Sequence, residues 1–146
     1  MKALARALCI LSIAALPISA AAQQYFSYTG VRRLVKFRIL PGKTADFYKY
    51  AAAVSKALEA EKSAGIITGY QMLHSTTFSG LDKFDVAFVI SYKDMASLDS
   101  LSDKTEPVLM KSYGTPENRA AMGKLADGSC EEVSSELLRD IAVKAQ

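Results

Sequence analysis

The stretch Cys130–Ile141, CEEVSSELLRDI, decides the fold, because it reads in two ways. As a helix it has Ser129 as a cap, Glu132 in the reciprocal capping position, and Val133, Leu137 and Ile141 at spacings of four. As a strand it puts Val133, Ser135, Leu137, Arg139 and Ile141 on one face, with Glu132, Ser134, Glu136 and Leu138 on the other. Local propensity leans towards the helix. The order of the elements before it asks for a strand, and we read it as one.

Immediately upstream, Thr115-Pro116-Glu117 supplies a cap, a first-turn proline and an acid, which opens a short helix through Leu125 that ends at Asp127-Gly128. Before that, Asp94 caps a helical region with Met95, Leu98 and Leu101 as its stripe. Pro107 is expected to break it, with a second piece over Val108–Lys111. Asp85–Tyr92, DVAFVISY, is the most apolar run outside the N-terminal segment and predicts a central strand covered on both faces. Residues 76–84 form a loop. Ile66–Ser75, IITGYQMLHS, is rich in β-branched and aromatic residues and predicts another strand, with Gly69 marking a bulge or close approach.

Further back, Val31–Leu40 alternates. Val31, Arg33, Val35, Phe37 and Ile39 share one face, and Arg32, Leu34, Lys36, Arg38 and Leu40 the other, so the segment predicts a strand. Pro41-Gly42 ends it, and Thr44 is a helix cap with Asp46 in the first turn. The helix runs to about Ala64 on the stripe Phe47, Ala51, Val54 and Leu58, and Gly65 stops it. Residues 23–30, QQYFSYTG, hold three aromatics without a period and read as an N-terminal arm.

The order is therefore strand, helix, strand, strand, helical region, strand. That is an α+β, ferredoxin-like βαββαβ pattern over residues 31–143, whose four-stranded antiparallel sheet has one face under helices. The other face stays open, and an apolar open face calls for a second copy of the chain.

Composition agrees with one domain: 146 residues, 50% apolar and 23% charged. The first 22 residues carry Lys2 and Arg6, an apolar run from Ala7 to Leu16, then Pro17 and small residues ending in Ala20-Ala21-Ala22. This reads as a secretory signal peptide cleaved after Ala22, its apolar run falling short of the ~20 residues a bilayer span needs. The short basic start and Ala-rich region look bacterial, which favours the periplasm over the medium. Of 18 basic and 15 acidic residues, loss of Lys2 and Arg6 leaves 16 against 15, too even a balance for nucleic acid or for a membrane surface after cleavage. Loss of Cys9 leaves Cys130 alone, so no intrachain disulfide forms, and a buried small apolar side chain is the reading we adopt for it.

The strand ending in Leu40-Pro41-Gly42-Lys43, the Phe47-bearing helix, the Gly65 turn, the strand and loop to Gly80, the strand Val86–Tyr92 followed by Asp94, and the returning tail resemble the dimeric α+β barrel superfamily. Within it, the chain looks like an exported member of a NIPSNAP-like or stress-responsive-like branch. The resemblance implies a homodimer in which two sheets face each other, with strand order fourth, first, third, second.

In that arrangement Lys36 and Arg38 face the barrel interior beside Glu132 and Glu136, where cross-strand ion pairs would satisfy them. The functional alternative is that Lys36, Arg38 and Gln71 bind an acidic ligand. Cofactor-independent monooxygenases of the superfamily activate a substrate with polar side chains, and His74, Tyr70 and Tyr92 are the candidates for catalysis here. A rim histidine and space-filling tyrosines are the plainer reading of the same residues. No phosphate loop, nucleophile elbow or metal signature is present in the sequence, so no cofactor and no metal are expected. The leading expectation is an exported small-molecule-binding protein for an apolar or anionic ligand. Its alternatives are a monooxygenase or isomerase acting in the cavity, and a structural module whose barrel is filled by its own side chains.

Overall fold

The computed structural model describes residues 25–77 and 83–144. The signal peptide assigned to residues 1–22 lies outside them, as does part of the loop expected at 76–84.

The first strand, β1, spans Phe26–Ile39. It begins inside the stretch read as an arm, and Phe26 to Gly30 pairs with Val143 to Asp140 of the last strand. Thr29 is the reason the sequence hid this. The ladder passes from Tyr28 to Gly30 while the partner advances one residue, so Thr29 bulges and interrupts the period of two.

Helix α1, Thr44–Ser63, buries Phe47, Ala51 and Leu58, as the stripe predicts, and Ala57 with them. Thr44 is not the cap. Lys43 takes that position without a side-chain bond, and Thr44 is the first helical residue. At the other end Gly65 adopts φ +73°, a left-handed conformation that lets its N–H reach the Lys62 carbonyl and the Ile66 N–H reach that of Glu61, each at 3.0 Å.

Strands β2, Gly69–His74, and β3, Val86–Tyr92, follow. After β3 the Asp94 carboxylate accepts from the Ser97 N–H at 2.9 Å and from its hydroxyl at 2.8 Å, capping a 3-10 turn at Met95–Leu98. The interruption of the helical region comes at Asp99 and Ser100, the latter at φ +50°, and not at Pro107. Helix α2, Leu101–Tyr113, continues through Pro107. Pro107 and Asp103 are both exposed, so the carbonyl that loses its partner to the proline faces water. Thr115 Oγ1 accepts from the Asn118 N–H at 3.2 Å and caps helix α3, Pro116–Asp127. The deciding stretch is a strand, β4, Cys130–Val143.

The sheet is antiparallel throughout with order β2-β3-β1-β4, the ferredoxin-like arrangement expected from the element order. Between sheet and helices, Phe37 packs edge-on to Phe88 with ring centroids 5.8 Å apart, and lies 6.3 Å from Phe47 and 6.5 Å from Tyr50. Val31, Val35, Ile67, Val86 and Tyr92 join this core with Ala51 and Leu58 of α1.

Candidate functional site: the open face of the sheet

Register decides which side chains meet, since directly paired residues share a face and neighbours alternate. Val35 is opposite Phe88 and Phe37 opposite Val86, which places these residues under the helices. The residues between them form the open face. One row across it reads Leu73, Ala87, Lys36, Ser134; the next reads Gln71, Val89, Leu34, Glu136; a third reads Gly69, Ser91, Arg32, Leu138. The β2–β3 side of this face is thus neutral and largely apolar, and the β1–β4 side is charged.

The charged side is paired. Lys36 Nζ donates to Glu136 Oε1 at 2.6 Å, and the Ser134 hydroxyl donates to the same oxygen at 3.1 Å. Together these hold the Glu136 carboxyl below its ordinary value, the Lys36 bond contributing most. Arg32 Nε meets Asp140 Oδ1 at 2.8 Å, and Arg38 donates to Glu131 Oε2 at 3.2 Å and to the Lys83 carbonyl at 3.1 Å. The cross-strand pairing expected of Lys36 and Arg38 is present, with one correction. Glu131, not Glu132, meets Arg38, because Lys36 is opposite Ser134 while Phe37 is opposite Glu132, leaving Val133 as a bulge. One extra residue turns Glu132 to the helix side, where it lies near enough to Tyr50 to contribute to that phenol's raised pKa.

The residues proposed from sequence do not converge. Lys36, Arg38 and Gln71 are on the open face. Tyr92 is opposite Val31, Tyr70 opposite Ile90 and His74 opposite Val86, so all three belong to the helix side of the sheet. Tyr92 is buried in the core, and burial, more than the nearby Glu61, pushes its hydroxyl up despite the opposing effect of Arg33. Tyr70 packs against the core, its hydroxyl pushed up by burial and by Glu59. His74 lines a groove of about 320 Å³ with Tyr48, Thr44 and Asp85, whose carboxylate is taken up by the Ile39 N–H at 2.8 Å.

Two features went unread in the sequence. Arg32 and Lys36 are four residues apart, as are Glu136 and Asp140, and matched spacings on antiparallel strands are a signature of a charge ladder. Glu61 extends the α1 stripe by three residues beyond Leu58 and is buried at 7% exposure, which pushes its carboxyl up. Burial chiefly, with Glu61 adding to it, pushes up the hydroxyls of Tyr92 and Tyr113. Cys130 is half-buried, its thiol 3.5 Å from the Ala126 carbonyl and pushed up mainly by burial.

No protein-family model and no curated protein matches the sequence. Among solved structures, the chain is similar to a dimeric protein of unknown function and ferredoxin-like fold from Bacteroides fragilis, at 12% identity and TM-score 0.42, over 81% of this chain and 100% of that one. It is also similar to HapK from Hahella chejuensis, at 15% identity and TM-score 0.45, over 75% and 91%. A dimeric ferredoxin-like protein of unknown function from Thermobifida fusca matches at 14% identity and TM-score 0.44, over 82% and 95%.

Proposed function

We propose that the chain is exported, in a bacterium most simply to the periplasm, and acts as a homodimer of the α+β barrel type. In it two open faces stack and enclose a cavity for a small apolar or anionic molecule. The observation that carries this reading is the uncovered apolar part of the sheet. Leu73 is 47% exposed and Leu138 43%, and Leu34 and Val89 are only half-buried between them. A sheet face that stays in water is ordinarily polar. Covering the exposed half of each such leucine is worth about 1 kcal/mol, which favours association of two copies.

Stacking would also bury the charged rows, and the ion pairs already formed keep that from leaving bare charges inside. The enzyme reading draws less support from this geometry. Its candidates Tyr70, Tyr92 and His74 lie across the sheet from Lys36, Arg38 and Gln71, so no acid–base pair faces the cavity with them.

Native mass spectrometry of residues 23–146, purified from an exporting host, tests the reading. A dimer that retains extra mass supports it. A bare monomer overturns the barrel, and a bare dimer moves the assignment to a module filled by its own side chains.

A further inference from the structure

We infer that the cavity selects an uncharged, largely apolar molecule bearing one hydrogen-bonding group, and turns carboxylates and other anions away. The inference deepens the reading above and rests on the stacking of two open faces.

Its basis is the one-to-one compensation of charge. Arg32, Lys36 and Arg38 are the cations that β1 places on this face, and each has its own acid on β4: Asp140, Glu136 and Glu131. Lys93, one residue past β3, stands exposed at the rim. Lys36 is the most enclosed of the three cations, its side chain 15% exposed, and its ammonium is engaged at 2.6 Å. An incoming carboxylate would have to share Lys36 with Glu136, leaving two acids on one cation where stacking excludes water. No such conflict meets a neutral molecule. It would lie along Leu73, Val89 and Leu34, with the amide of Gln71, opposite Val89 on the edge strand β2, offering both a donor and an acceptor.

The arrangement also says how the preference is set. Glu136 silences Lys36, so removing the charge of Glu136 alone should turn the same cavity into an anion site. Glu131 plays that part for Arg38, two residues further along β1.

The test uses two probes with the same ring system, 2-naphthalenemethanol and 2-naphthoate, titrated at neutral pH into the mature protein and followed by fluorescence. The wild type should bind the alcohol tighter by about tenfold or more, the cost of desolvating an uncompensated carboxylate. Glu136→Gln should reverse that order. Glu131→Gln provides a second variant should the first fail to fold, and sedimentation shows whether each remains a dimer. Wild-type preference for the carboxylate, or an unchanged ratio in folded dimeric variants, overturns the inference while leaving the cavity in place. Binding of neither probe by a wild-type dimer also overturns it, and a wild-type monomer takes the underlying reading with it.

Discussion

Two faces of the same strand set the terms for this molecule. Val35 and Phe37 of β1 are buried at 8% and 9% exposure against aromatic neighbours, whereas Lys36 and Arg38, one residue along, hold acids from β4. The helix side owes its stability to interlocked shape. Phe47, Phe37, Phe88 and Tyr50 touch one another at several angles, and a missing ring there leaves a hole. The open side is held by pairs that tolerate water and carries apolar side chains, Leu73 and Leu138, that stay nearly half exposed. A difference of this kind shows a sheet packed by its own helices on one side and left partly apolar on the other.

The comparison breaks most readily at its packed side. Phe47→Ala should cost about 3–5 kcal/mol, because Phe47 is fully buried and the surrounding rings cannot close the gap. Urea unfolding measures this, and a loss below about 1 kcal/mol would mean the site collapses freely. On the open side, Leu138→Asp should leave the fold of each chain almost untouched and weaken dimerisation by about tenfold or more, as expected from losing a buried leucine. Analytical ultracentrifugation separates the two effects, and equal dimerisation by variant and wild type would show that this face is not the interface.

Glu61 sharpens the contrast from within the core. Its folded carboxyl titrates above the ordinary range, so the folded chain holds its proton more tightly than the unfolded one. Its contribution therefore favours folding increasingly as pH falls from neutrality through the raised value towards the ordinary one, and opposes folding above it. Glu61→Gln should raise the melting temperature slightly at neutral pH and flatten this part of the pH dependence. A lower melting temperature for the variant would show that the charged carboxylate is held by a partner. Glu136 has the opposite sign: its lowered carboxyl favours folding above the ordinary carboxylate range and ceases to do so as pH falls through the lowered value. The smallest effect belongs to Arg38→Gln, whose ion pair is exposed in a single chain and contributes no more than about 0.5 kcal/mol there. A larger loss in the dimer than in the monomer would show that association buries it.

Sequence alone determined most of the architecture. The alternation of Val31–Leu40, the stripe of α1, the glycine stop at Gly65 and the caps at Asp94 and Thr115 are local properties, set by backbone geometry within a few residues. Even the ambiguous Cys130–Ile141 became legible through element order, since a fourth strand completes the sheet. What the sequence pointed to without arranging was the open face: Lys36 and Arg38 were marked for pairing, while the partner of Arg38 was read one residue off. Only tertiary structure decided that partner. Bulges at Thr29 and Val133 are set by how two distant strands meet, and a shift of one residue moves every following side chain to the other face. The same rule separates His74, Tyr70 and Tyr92 from Lys36, Arg38 and Gln71. Their chemistry and the expected barrel cavity suggested one site, and the period of the strands put them on opposite sides of the sheet.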